Sequence, residues 1–147
     1  MNSTAPQAPA VLRTFTQLLS STRRGARLAQ LLASKQLRSW EVSPAVTEQA
    51  EQIIAELAAN AALHGRVRGR YFRLALTLDT AAGTLRIAVT DACGNRLPVL
   101  ADESGAHSEE SGRGLLLVTA LATAWGTEPH PPSGKTVWAT VDLPGRR

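Results

Sequence analysis

Glu56-Leu57-Ala58-Ala59-Asn60-Ala61-Ala62-Leu63-His64-Gly65 sets three polar side chains at four-residue spacing into an otherwise apolar run. Positions four apart share one face of a helix, so Glu56, Asn60 and His64 form a polar stripe. The flanking Ile53, Ile54, Leu57, Ala58 and Ala61 have the pattern of a helix packed into a core. An Asn is intrinsically disfavoured in a helix interior, and a carboxylate there needs a partner. The stripe therefore marks a candidate site as well as a helix.

The helix has a clear start. Ser43 suits the capping position, Pro44 the first helical position, and Glu48 falls in the opening turns. The spacing predicts a helix from about 44 to 64 that Gly65 terminates. Downstream, Phe72, Leu74, Leu76 and Leu78 alternate with Arg73, Ala75 and Thr77. After Asp79-Thr-Ala-Ala-Gly83, Leu85, Ile87 and Val89 alternate with Arg86, Ala88 and Thr90. Two alternating runs joined by so short a turn predict an antiparallel hairpin with one buried face. Asp91 to Ser111 is long, irregular and acidic, the character of a functional loop. Leu115 to Ala124 is predicted as a short apolar helix entered through Gly112-Arg113-Gly114, and Thr136 to Leu143 as a final strand.

Upstream, Val11 to Thr16 alternates weakly, as an edge strand can. Thr22 to Gln36 has amphipathic spacing at Ala26, Ala29, Leu31 and Leu32. Residues 1–10 are small, polar and Pro-containing, and are expected to form a disordered tail before one domain over 11–145. Segregated helices with hairpin-joined strands predict an α/β (α+β) two-layer sandwich. Its sheet is expected to be mixed and mostly antiparallel, with the helices on one face.

The 147 residues carry 44% hydrophobic and 19% charged side chains, a globular composition able to bury a core. No apolar stretch approaches a bilayer span, and the N-terminus lacks the basic start and apolar run of a secretory signal. The single Cys93 forms no intramolecular disulfide and fits a reducing compartment, so a cytoplasmic location away from membranes is expected. The net charge of +4 is spread over separate arginine clusters without interleaved aromatic residues, which argues against direct nucleic-acid binding. An acidic protein partner is the better use of that charge.

Three segments carry the chemistry. The first is the Glu56/Asn60 stripe. The second is Asp91-Ala-Cys93-Gly94-Asn95 at a strand end, where a carboxylate can accept hydrogen bonds from an exocyclic amine. The third is Gly112-Arg113-Gly114-Leu115, where a glycine-rich helix entry offers backbone N–H groups and a positive dipole end to phosphate. An Asn oxygen suits a magnesium ion that keeps waters and phosphate oxygens, and a Glu suits activation of a hydroxyl for phosphoryl transfer. Each element alone is weak; their order and spacing together describe a nucleotide site.

At this point the chain resembles the GHKL ATPase superfamily with its Bergerat ATP-binding fold. The closest likeness is to short anti-sigma factor serine/threonine kinases of actinobacteria. Glu56-Leu-x-x-Asn60-Ala-x-x-His64 is similar to that family's Asn box. Glu110-Ser-Gly112-Arg113-Gly114-Leu115-Leu-Leu-Val118 is similar to its second glycine box, and Gly134-Lys135-Thr136-Val-Trp138 to its closing strand. The resemblance implies binding of ATP and Mg2+, with Glu56 as catalytic base and Asn60 as magnesium ligand. It places the nucleotide on Asp91, Gly94, Gly112, Arg113, Gly114, Leu115 and Thr136. It also implies a sigma factor and a STAS-type anti-anti-sigma protein as partners, and a homodimer formed through the sheet and N-terminal segment.

One departure bears on activity. The first glycine box of the family usually reads Asp-x-Gly-x-Gly, whereas here Cys93 and Asn95 stand at the glycine positions with Gly94 between them. Cβ atoms there narrow backbone freedom beside the nucleotide. Two function classes therefore remain. One is an ATP-dependent protein kinase and anti-sigma factor; the other is a non-catalytic ATP-binding or interaction module of the same fold. A histidine-kinase catalytic half or an ATP-hydrolysing machine is not expected, since the chain shows no dimerisation helix or transducer segment. His64 is assigned to capping carbonyls at its helix end, Arg113 to the terminal phosphate or to solvent, and Cys93 to an inert thiol.

Overall fold

The computed structural model of the chain describes residues 9–64, 71–91 and 109–145, with backbone alone at 63–64 and 109–114. Strand β1 (Leu12–Ser20) leads to helices α1 (Arg23–Ser39) and α2 (Pro44–His64). The hairpin β2 (Tyr71–Asp79) and β3 (Thr84–Asp91) follows, then α3 (Glu109–Leu121), β4 (Ala124–His130) and β5 (Gly134–Asp142). The strands form one sheet in the order β1-β2-β3-β5-β4. Every neighbouring pair is antiparallel, so the parallel component expected of a mixed sheet is not present among the described residues.

Alternation builds the core. Phe72, Leu74 and Leu76 of β2, Leu85, Ile87 and Val89 of β3, and Val137, Ala139 and Val141 of β5 are buried on one sheet face. Onto this face α2 lays Ile53, Ile54, Leu57, Ala58 and Ala61, all essentially inaccessible to water. Helix α1 joins the same cluster through Ala29, Ala33 and Leu37. Each fully buried Leu, Ile or Phe contributes about 1.5–3 kcal/mol of transfer free energy, so this one face dominates the stabilisation of the sandwich.

Local signals explain the element ends. Ser43 Oγ accepts from the N–H of Val46 at 3.3 Å, which caps α2 at its expected start. Thr22 caps α1 by accepting from the N–H of Gly25 at 2.9 Å. Gly25 sits so close to the preceding strand that a Cβ there would lie 1.9 Å from the Ser20 carbonyl oxygen, so no side chain fits while β1 runs directly into α1. In the β2–β3 turn, Asp79 Oδ1 accepts from the N–H of Ala82 at 3.0 Å and Gly83 takes the left-handed conformation at φ 72°.

Three expectations change. Strand β1 extends to Ser20 rather than Thr16, because its pairing with β2 continues from Leu12↔Asp79 to Ser20↔Tyr71. Helix α3 begins at Glu109, not Leu115, and ends at Leu121, so the two glycines lie inside its second turn. Strand β4 was not expected at all. It is an edge strand with mostly exposed residues and contains Gly126 and Pro129, so its sequence lacks the alternation of a half-buried strand. Gly126 lies flat beneath the Trp138 indole, 3.0 Å from it to the Cβ position, and Arg86 stacks over the same ring at 5.6 Å. The proposed tail largely precedes the described residues.

Candidate functional site

Helix α2 carries Glu56 and Asn60 and packs on the sheet. Gln49 near its start donates to the Leu121 carbonyl at 3.3 Å, where α3 ends. Two residues on, the N–H of Thr123 donates to the carbonyl of Thr140, in the last third of β5, at 2.7 Å. The N-terminal half of α2 thus lies beside the end of β5. The helix, about 30 Å long by its rise, packs on β3, β5 and β2. Glu56 and Asn60 occupy this second half, one turn apart and both half-buried. Their neighbours Leu57 and Ala61 point into the core, so the two polar groups sit at its margin.

At the sheet end stands Asp91, 5% exposed. The register sets Asp91 directly opposite Lys135 across the β3–β5 pair. Both side chains project on the helix-covered face shared by Val89 and Val137. Lys135 Nζ donates to Asp91 Oδ2 at 3.3 Å, and the two side chains are 8% and 4% exposed. Gly134 allows this approach: a Cβ there would lie 2.4 Å from the Asp91 carbonyl oxygen. Lys135 was missed in the sequence, although the alternation that turns Val137, Ala139 and Val141 inward turns Lys135 inward as well.

Thr136 lies on the other face. Its hydroxyl is 2.7 Å from that of Thr90, which faces it across the pair. Thr90 and Asp91, with Tyr71, Arg73, His130 and Gly134, line an open cavity of about 290 Å³ at this sheet end. The structure therefore brings together Asp91 and Lys135 on one sheet face, while the Thr136 side chain points to the other. Gly112, Arg113 and Gly114 are helical in backbone, and Leu115 is fully buried. With α3 starting at Glu109, the N–H groups of Arg113 and Gly114 fall within the helical ladder. The open donors are those of the first turn. Gly94, with Cys93 and Asn95, lies outside the described residues.

The described residues thus combine a half-buried Glu56/Asn60 pair on α2 and a buried carboxylate at the end of β3 in one two-layer α/β sandwich. The chain matches the Histidine kinase-like ATPase domain model over residues 11–141, and it belongs to that family. Among solved structures it is similar to the RsbU and RsbW domains of Rv1364c from Mycobacterium tuberculosis. That match has 20% identity and a TM-score of 0.63, and covers 89% of this chain and 32% of the other. It is also similar to the SiaB-SiaC complex from Pseudomonas aeruginosa, with 12% identity, a TM-score of 0.64 and coverage of 86% and 88%. This chain thus spans about a third of the mycobacterial one, and at these identities the likeness concerns the fold. No curated protein sequence matches the chain.

Proposed function

We propose that this chain is a cytoplasmic ATP-binding regulator of transcription, an anti-sigma factor that phosphorylates a Ser or Thr of a STAS-type anti-anti-sigma protein. The observation that carries the reading is the match to the ATPase-domain family in a chain whose α2 sets Glu56 and Asn60 one turn apart, both half-buried, and whose β3 ends on the buried Asp91. Structural neighbours that include an RsbW domain and the partner-bound SiaB-SiaC complex support a protein-regulating role.

The residues present fit a magnesium nucleotide. Among the described residues there is no cluster of three His, Cys, Asp or Glu to cage a metal. A Mg2+ ion here would rely on the Asn60 amide oxygen, waters and phosphate oxygens, a donor set that Mg2+ commonly takes. When bound, the ion would offset charge on the phosphates. Asn60 would hold it, Asp91 would accept from the base, and Glu56 would draw the proton from the attacking hydroxyl. Binding of phosphate by Arg113 to Leu115 requires the first turn of α3 to open, because their N–H groups are otherwise engaged by the carbonyls of that turn, whereas that of Gly112 is open.

Calorimetry of Mg-ATP binding tests the nucleotide assignment. Wild type should bind, and Asn60→Ala should weaken Mg-ATP binding by about tenfold or more, since even outer-shell metal partners are worth tenfold to hundredfold. Absence of heat for wild type up to millimolar ATP would overturn it. The second reading, a non-catalytic interaction module, is favoured by Cys93 and Asn95 in the first glycine box. It predicts partner binding with no phosphate transfer.

A homodimer through the β1 edge is part of the proposal. Leu12 and Leu18 of the edge strand β1 and Tyr71 of its neighbour β2 are 68%, 57% and 60% exposed, apolar side chains at an edge that pairs on one side only. Sedimentation velocity should show a dimer that Leu18→Glu shifts to monomer. A monomeric wild type at tens of micromolar would remove this element.

A further inference from the structure

The Asp91–Lys135 pair does more than a carboxylate alone can do. Asp91 can only accept hydrogen bonds when ionised, so by itself it reads any base that offers a donor. Lys135 places an ammonium, which can only donate, 3.3 Å from that acceptor on the same sheet face. Both groups are held by a strand register that Gly134 makes tight, and both are nearly inaccessible to water. Burying two charges is expensive, and such a pair often contributes no more stability than apolar residues of the same size. Its chemical content is a fixed acceptor–donor couple at the place where the base is read.

We infer that Lys135 is a specificity-determining residue of the nucleotide site, donating to N1 of adenine while Asp91 accepts from the neighbouring N6 amine. The inference rests on the ATP reading given above and names a second reader of the base. N1 and N6 are adjacent on one edge of the ring, an acceptor beside a donor, which complements the Asp91–Lys135 couple. The base enters against the pair, and each charged group exchanges part of its contact with the other for a contact with the purine. Hydrogen bonds to charged groups in such sites are the stronger class, so losing the Lys135 contact should be visible in affinity.

The test compares ATP with 1-deazaadenosine triphosphate, which keeps the N6 amine but has a C–H in place of N1. Wild type should bind ATP about tenfold more tightly or better, the equivalent of one charged hydrogen bond. In Lys135→Met this preference should fall to near unity, and Lys135→Arg should restore much of it. The double variant Asp91→Asn/Lys135→Met leaves neither charge buried alone and should likewise show no preference, so the comparison survives if the single variant does not fold. Equal binding of the two nucleotides by wild type overturns the inference and leaves the ATP assignment standing. So does a preference that persists in folded Lys135→Met or in the double variant, while tighter binding of GTP than ATP overturns the assignment of N1. A wild type that binds none of these nucleotides overturns the ATP reading itself, and this inference with it.

Discussion

Asp91→Ala should lower the free energy of unfolding by about 3–5 kcal/mol, the cost of removing one member of a buried ion pair. The Lys135 side chain is 8% exposed and its ammonium bonds Asp91 at 3.3 Å. With the carboxylate gone, the buried ammonium loses this charged contact in a place that water reaches only by local opening of the strand end. Asp91 and Lys135 each have further interactions, which places the expected loss toward the lower part of that range. Denaturant unfolding reads the effect as a lower midpoint at unchanged slope. The double variant Asp91→Leu/Lys135→Met supplies the contrast. It removes both charges and fills the space with apolar atoms, so its stability should return to within about 1 kcal/mol of wild type or exceed it. If Asp91→Ala were as stable as wild type, the pair would not be a desolvated one. A double variant as unstable as the single would assign the loss to packing rather than to the unpaired charge.

The parts of the structure set by a strong local pattern were legible in the sequence. Helix α2 has its expected bounds because Ser43 and Pro44 start it and its apolar positions run unbroken to Ala62. The β2–β3 hairpin follows from strict alternation closed by Gly83. Elements held in place by tertiary contact were not legible. Strand β4 pairs with β5 along its whole length, yet its solvent-facing residues and its Gly and Pro leave no periodic signature. Helix α3 starts six residues before its expected bound because low-propensity Gly112 and Gly114 mark a helix entry by local preference, whereas the helix runs through both.

The site divides in the same way. Glu56 and Asn60 could be placed on one face from spacing alone. The partner of Asp91 depends on how β3 and β5 align, and a slip of one residue exchanges Lys135 for Thr136 on that face. The alternation predicted a final strand from Thr136, one residue after Lys135; the observed pairing begins at Gly134 and brings Lys135 inside. A long-range register therefore decides which side chain stands beside the Asp91 carboxylate.

Glu56→Gln should abolish phosphoryl transfer to the protein substrate, by about a hundredfold to ten-thousandfold, while leaving Mg-ATP affinity within a few fold of wild type. The substitution keeps the size of the side chain and its place on α2, where Glu56 is half-buried beside Leu57. It removes the negative charge and with it the capacity to take up a proton. A base that acts on the attacking hydroxyl contributes in the transition state and not to nucleotide binding, so the loss should fall on the rate constant. Single-turnover transfer of labelled phosphate from ATP to a STAS-type protein measures that constant, and calorimetry measures the affinity separately. Transfer at the wild-type rate by the Gln variant would remove Glu56 from the base role. A wild type that binds Mg-ATP but transfers no label, with the Gln variant behaving identically, would make this chain the non-catalytic module of its fold. A parallel fall in rate and ATP affinity would instead place Glu56 among the groups that hold the nucleotide, next to Asn60 on the same stripe.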